Sequence, residues 1–342
     1  MTMEYQLPAM ARPLLDWYAR TARPLPWREN VSPYRVWISE IMLQQTRIEA
    51  ARGYFTRFLQ AFPDVKSLAE ASEDEVLKLW EGLGYYSRAR NLHKTAKILW
   101  EQYGGELPAD ISLLRALPGV GDYTAGAIAS LAFGLPEPAV DGNVLRICTR
   151  LTACDVDLGK ESVKKYFREQ LRSQYTTDCG AFSSALMELG ETVCLPGTPD
   201  CAACPLAFLC LAHAAGRETD FPVMPTKKPR RTEEKTVLVL RCGHRQALNR
   251  RPEKGLLAGL WELPNRPGSL TEEEVLAWAG GQSLQPDGIR PLGEAVHIFS
   301  HVEWHMVGYE LRCAAENSAF VWTEDIRQYA IPTAFRAYTG EK

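Results

Sequence analysis

Residues 194–210 read CLPGTPDCAACPLAFLC, which places Cys194, Cys201, Cys204 and Cys210 at the spacing C-x6-C-x2-C-x5-C. Four thiolates in so short a stretch can wrap one compact inorganic centre. Pro196, Gly197, Pro199 and Pro205 keep the intervening chain in loops, as a wrap requires. Ligand type alone leaves two centres open, because four cysteines suit tetrahedral zinc as well as an iron–sulfur cluster. The six-residue first gap is longer than the usual zinc knuckle and tilts the reading toward iron–sulfur. The remaining cysteines, Cys148, Cys154, Cys179, Cys242 and Cys313, are scattered and expected to pack. The N-terminal stretch lacks the basic start and apolar core of a signal peptide, so metal binding comes before disulfides and a cytoplasmic protein is expected.

Upstream of the cysteines the chain reads as helical. Helical periodicity predicts helices over 36–54, 64–80, 111–117, 160–175 and 181–192, with Ser72 and Glu75 forming a capping-box pair. Leu117-Pro118-Gly119-Val120-Gly121 joins two helices through a tight glycine turn, which leaves backbone N–H groups free at the next helix N-terminus, a natural phosphate site. About twenty residues on stands Val140-Asp141-Gly142-Asn143, where Asp141 reads as a helix N-cap, ionised by its capping bonds. In Trp37-Ile38-Ser39-Glu40-Ile41-Met42-Leu43-Gln44-Gln45-Thr46 the glutamate has mostly apolar neighbours three and four residues away. A carboxyl so placed should have a raised pKa and could donate a proton at neutral pH.

These motifs together resemble the endonuclease III/MutY family of DNA glycosylases: the cysteine loop its iron–sulfur loop, residues 117–121 its helix–hairpin–helix element, and Asp141 its catalytic aspartate. The resemblance implies a 4Fe–4S cofactor and duplex DNA as partner. Family members that also cut the strand carry a lysine at the position of Tyr123; a phenol forms no imine, so a lysine-type lyase activity is not expected. The segment around Glu40 resembles the signature of the adenine-specific members. There the matching glutamate protonates adenine and residues matching Gln44, Gln45 and Thr46 enter the DNA. Leu83-Gly84-Tyr85-Tyr86 resembles the family's wedge loop and Pro26-Trp27-Arg28 its adenine pocket wall. Tyr123 and Asn143 are then expected to orient the carboxylates and the sugar. The cluster is expected to fold a loop whose basic residues meet the phosphates. Ser184 departs from the pattern, since many relatives carry Glu or Gln there.

Residues 218–235 (ETDFPVMPTKKPRRTEEK) change character and predict an exposed connector. Beyond it, residues 237–240 form an apolar strand run, 269–279 a helix, and 301–307 alternate with Val302, Trp304 and Met306 on one side. This second domain, 236–342, is α+β. Leu256-Leu257-Ala258-Gly259-Leu260-Trp261-Glu262 resembles the Nudix-like C-terminal domain of the same family. The glutamate-rich helix that nucleotide-hydrolysing relatives need does not follow it. Phe299-Ser300-His301 matches the loop that reads 8-oxoguanine.

The expected architecture is multidomain: an all-α helix–hairpin–helix glycosylase domain over 1–217, a six-helix barrel with its cluster loop, plus the Nudix-like domain. Two domains suit 342 residues, and a composition 46% apolar and 24% charged supplies ordinary cores. A net charge of −3 gives no global attraction to nucleic acid, so DNA affinity must be local. No apolar run is long enough to cross a membrane. The resemblance implies a monomer, associated with the nucleoid, that removes adenine mispaired with 8-oxoguanine or guanine and leaves an abasic site. The weighed alternatives are an endonuclease III-like lyase, a thymine–guanine mismatch glycosylase, a non-catalytic iron–sulfur sensor and a Nudix hydrolase with a helical appendage.

Overall fold

The computed structural model describes residues 5–175, 178–225 and 229–340, so part of the expected connector, 226–228, lies outside the described residues. The chain forms two compact units: Met1–Glu70 with Asn91–Thr226, and Ala71–Arg90 with Lys227–Lys342. Residues 71–90 thus group with the C-terminal part of the chain, although sequence continuity places them in the helical domain.

The first unit is helical. It contains α1 (Ala11–Thr21), α2 (Pro33–Leu43), α3 (Ile48–Ala61) and α4 (Val65–Glu70). α5 (Glu73–Trp80) and the first turn of α6 (Ser87–Tyr103) fall to the second unit. α7 (Ile111–Ala116), α8 (Asp122–Phe133), α9 (Gly142–Thr152), α10 (Glu161–Arg172), α11 (Cys179–Thr192) and the short α12 (Leu211–Ala214) complete the first. Two of the expected helices are each broken in two. The periodicity over 36–54 runs through Gln45, whose φ of 57° is left-handed and cannot continue a right-handed helix. The periodicity over 64–80 runs through Ser72, which adopts extended dihedrals because it is an N-cap, so the capping box opens a second helix. α1 and α6 were not foreseen.

α8 supports the site. Its residues 124–130 are buried, and it packs between α2 and α11. A Cβ on Gly126 would fall 2.5 Å from the Pro138 carbonyl oxygen, so only glycine lets α8 lie against the strand of chain that leads to Asp141.

The second unit is a mixed sheet with α5, α13 (Glu272–Gly281) and α14 (Arg336–Thr339). Its strands are β1 (Arg231–Cys242), β2 (Arg245–Arg250), β3 (Trp261–Glu262), β4 (Asn265–Pro267), β5 (Pro286–Ile298), β6 (Val302–Cys313) and β7 (Val321–Thr323). The order is β3-β2-β1-β6-β5, with β4 added to β1 and β7 to β2. β1 runs parallel to β6 and begins at Arg231, inside the expected connector, because residues 231–235 pair with 302–306. Val302, Trp304 and Met306 are buried, as their alternation requires. The segment after Glu262 becomes β4, paired with β1.

Candidate active site and cysteine loop

A cavity of about 850 Å³ opens among the helices of the first unit, lined by residues of α2, α8 and α11 and by the chain before α2 and α9. α2 is buried from Val36 to Met42, which carries Glu40 inside: only 4% of its surface remains exposed. Its Oε2 has no hydrogen-bond partner among the described residues. Burial therefore drives its pKa from 4.5 up to about 7; the Tyr123 hydroxyl, by hydrogen bonding, pulls down, Asp141 and Glu191 push up, and Arg28 pulls down. Burial next to these acids raises Tyr123 well above 10, so it remains a phenol. Its hydroxyl also lies 4.0 Å from Met187 Sδ.

Asp141 is the N-cap of α9, accepting from the Val144 N–H at 2.8 Å. Asn143 donates to its other oxygen at 3.0 Å. These bonds lower its pKa, yet burial outweighs them and the pKa is raised, against the expectation from capping alone. Asn143 in turn accepts from Arg146 at 2.9 Å. The Arg146 guanidinium also donates to the carbonyls of Gly190 and Cys194, each at 2.8 Å. A Cβ on Gly190 would stand 2.7 Å from Asn143 Cβ, so glycine is required for α11 to approach so closely.

Trp27 and Arg28 line the same cavity, with the Trp27 ring edge-on to Phe55 at 5.7 Å. Arg28 is held by the buried carboxylate of Glu188, 2.7 Å away, and Arg23 pairs with the other oxygen at 2.5 Å. Burial pushes Glu188 up, but the two arginines outweigh it and hold its pKa below the ordinary range. Ser184 also lines the cavity. Gln44 donates to Thr124 at 3.0 Å, Gln45 is exposed in its left-handed turn, and Thr46 is half-buried after it. Gly119 and Gly121 are exposed in the hairpin, where Gly119 has a φ of 77° and a Cβ would meet Asn91 at 2.7 Å.

The four cysteines line one small cavity together with Arg150, His213 and Glu218. Among the described residues, the one metal-ligating group whose donor atoms all lie within 4.8 Å of one another is Cys201, His213 and Glu218; no three of the four thiols form such a group. A single tetrahedral zinc ion needs sulfurs only ~3.8 Å apart. Four thiols around one cavity form a donor set that suits an iron–sulfur cluster. Burial pushes Cys201 and Cys204 up to about 11, so a bound metal is what would draw off their protons. Arg150 donates to the carbonyls of Leu195 (2.8 Å), Gly197 (3.2 Å) and Glu218 (2.9 Å), tying the loop to α9. One expectation fails: residues 194–210 contain no lysine or arginine, and the basic groups at the loop, Arg146 and Arg150, come from α9. Of the remaining cysteines, Cys148, Cys154, Cys179 and Cys313 are buried and Cys242 half-buried.

In the second unit, Phe299-Ser300-His301 forms the turn between β5 and β6, closed by the Phe299 N–H on the Val302 carbonyl at 2.8 Å. The Phe299 ring packs on Trp304 at 4.8 Å, leaving Ser300 and His301 exposed. Leu83 is buried, whereas Tyr85, 47% exposed, places its hydroxyl 2.9 Å from Ser300 Oγ.

Glu188, Glu191, Arg146 and Arg150 were not found from the sequence. The available signal was Glu188 itself, an acid set among Ala185, Leu186 and Leu189, which needs a buried cation.

A buried glutamate and a capped aspartate that line one cavity beside a glycine hairpin point to the helix–hairpin–helix DNA glycosylases. The family of HhH-GPD superfamily base excision DNA repair proteins matches residues 38–173, and the NUDIX domain family matches residues 236–340. The human adenine DNA glycosylase is 34% identical, over 96% of this chain and 74% of that protein. The adenine DNA glycosylase of Buchnera aphidicola subsp. Acyrthosiphon pisum (strain APS) is 34% identical, over 86% of this chain and 83% of that protein. Among solved structures, a thermostable thymine-DNA glycosylase superposes with a TM-score of 0.54 at 26% identity, covering 60% of this chain and 95% of that one. This chain belongs to the adenine DNA glycosylase (MutY) family, hydrolases of N-glycosyl bonds in base-excision repair. No helix among the described residues is long and apolar enough to cross a membrane.

Proposed function

We propose that this protein excises adenine mispaired with 8-oxoguanine or guanine in duplex DNA and leaves an abasic site in an intact strand. It acts as a monomer at the nucleoid, with a 4Fe–4S cluster on Cys194, Cys201, Cys204 and Cys210. The observation that carries the reading is Glu40, sunk in the cavity with its pKa raised to about 7 and Tyr123, not a lysine, beside it.

Adenine is unreachable in the duplex and must be flipped into the cavity. Trp27 and Arg28 form the wall that receives it. Gln45, exposed on its turn, enters the DNA with Gln44 and Thr46 behind it, and backbone N–H groups at Gly119 and Gly121 meet a phosphate. Leu83 and Tyr85 support the opened duplex. Protonated Glu40 donates to adenine N7 and makes the base a better leaving group. The C1′–N9 bond then breaks through an oxocarbenium-like transition state. Asp141, fixed by Val144 and Asn143, stabilises that cation across the sugar face. Glu40, now a carboxylate, takes a proton from the attacking water. Tyr123 orients Glu40, and as a phenol it offers no amine for strand cleavage. Phe299, Ser300 and His301 read the oxidised guanine. Cys194, Cys201, Cys204 and Cys210 would hold the cluster, which would supply a structural centre for the loop, while Arg146 and Arg150 supply the positive charge there.

The test is a labelled duplex with adenine opposite 8-oxoguanine, half of each sample treated with alkali. Cleavage at the adenine only after alkali is the expected result. Cleavage without alkali overturns the monofunctional assignment, and equal rates on adenine paired with thymine overturn the mispair assignment.

A further inference from the structure

Residues 83–86 lie in the first half of the chain, but they are built into the C-terminal unit. The loop is braced by hydrogen bonds from its own flanks. Gly82, Gly84 and Tyr85 hold φ values of 96°, 71° and 49°, and the Trp80 indole donates to the Gly84 carbonyl at 3.1 Å. Arg88 donates to the carbonyls of both Leu83 and Gly84 at 3.1 Å. A loop braced in this way is aimed by whatever holds its base. That base is Glu81, the C-cap of α5. Its Oε1 accepts the Ile331 N–H at 3.0 Å, and its Oε2 pairs with Lys78, which also donates to the Tyr329 carbonyl at 3.3 Å. The receiving segment is itself anchored: Ile331 is buried, and the Tyr329 ring packs edge-on to Trp261 at 4.9 Å. Asp74 pairs with Arg250 at 3.3 Å, and Arg90 donates to the Ala258 carbonyl.

We propose that Glu81 is a positioning residue for adenine extrusion: through it the C-terminal domain aims the loop that supports the opened duplex. The domain then serves both to read the base opposite and to carry the wedge, and the two acts are mechanically linked. The proposal rests on the reading of residues 83–86 as a DNA wedge. It follows that weakening the anchor slows extrusion on every mispair alike, whereas removing the exposed His301 side chain from the reading loop acts mainly on 8-oxoguanine.

The experiment uses the full chain with Glu81→Ala, Glu81→Gln, Leu83→Ala and His301→Ala. Two signals are followed: the fluorescence of 2-aminopurine in place of the target adenine, and single-turnover excision of adenine. Glu81→Ala, which removes both the Ile331 bond and the Lys78 pair, should slow both at least about fivefold, equally opposite 8-oxoguanine and guanine. Glutamine keeps an acceptor for the Ile331 N–H and should restore most of the rate. On a duplex whose neighbouring pairs are mismatched, so that the adenine is already unstacked, the defect should vanish. An equal defect on that substrate marks general damage and overturns the proposal, as does no defect on the intact duplex. If Leu83→Ala is also silent, the wedge reading itself fails; if Leu83→Ala slows extrusion and Glu81→Ala does not, only the anchoring role fails.

Discussion

Replacing Glu40 by glutamine removes an ionisable proton from the middle of the cavity while keeping the side chain's shape. In the folded protein burial raises this carboxyl from 4.5 to about 7. At about 1.4 kcal/mol for each unit of pKa, the difference corresponds to about 3 kcal/mol of folding free energy. Between about pH 4.5 and 7 the folded protein keeps a proton on Glu40 that the unfolded chain has released. The native state is thus unburdened below about 4.5, loses stability as pH rises, and carries the whole cost above about 7. Glutamine, neutral throughout, does not incur it. Glu40→Gln should therefore match the parent near pH 4.5 and exceed it at pH 8 by about 3 kcal/mol, or roughly 6–12 °C in Tm for a unit of this size. Thermal melts of the cluster-loaded proteins, followed by near-ultraviolet circular dichroism from pH 5 to 8, measure it. Two curves that run parallel across that range would refute the account, because Glu40 would then be ionised as easily inside as outside. The same variant should lose excision by several orders of magnitude, since the proton for adenine is gone.

Excision by the parent should decline above about pH 7 as Glu40 ionises, and single-turnover rates across pH 6–9 show the limb. Tyr123→Phe removes the hydrogen bond that lowers the Glu40 pKa, so that limb should move to higher pH; a limb that stays or moves down contradicts the pairing. Gly190→Ala drives a Cβ to 2.7 Å from Asn143 and should cut the rate about a hundredfold through a misplaced Asp141, with adenine-site affinity little changed when measured on a non-hydrolysable analogue. Arg150→Ala leaves the carbonyls of Leu195, Gly197 and Glu218 without their donor; iron content and visible absorbance should fall faster under chelator than in the parent. If the cluster of Arg150→Ala resists chelation as the parent's does, Arg150 does not secure the loop.

Much of the site was legible because its chemistry is local. The cysteine spacing, the glycine turn and the capping aspartate each declare themselves within a few residues, and Glu40 stands out as an acid on a helix apolar almost all round. Boundaries failed where one residue overrides a period: Gln45 turns left-handed, which hydrophobic spacing does not register, and the period runs on through Ser72 although its capping box with Glu75 is legible in the sequence. What could not be read is what partners across the chain. Glu188 meets Arg23 and Arg28 from about 160 positions away, and Arg146 joins Asn143 to a carbonyl 48 residues on. Ala71–Arg90 joins the C-terminal unit through contacts such as Glu81 with Ile331, at a separation of 250. Local pattern carries no information at such distances.

On the proposed mechanism, the two carboxyls owe their different tasks to what surrounds their oxygens. Both are buried, and burial pushes both pKa values up. Glu40 has an oxygen with no partner, so the proton stays until a base in the cavity takes it. Asp141 has a donor on each oxygen, from Val144 and Asn143, and these favour the charged form against the same burial. Groups separated in this way divide acid from cation-stabiliser without any difference in chemical type. The division also explains why α9 is buried along residues 144–152 and tied by Arg146 and Arg150 to the cysteine loop. A proton donor can tolerate some freedom, since adenine comes to it. A carboxylate that must face a short-lived cation cannot, and a displacement of about 1 Å there costs on the order of a hundredfold in rate. On the proposed mechanism, that is the use of tying α9, which carries Asp141, to the cysteine loop through Arg146 and Arg150.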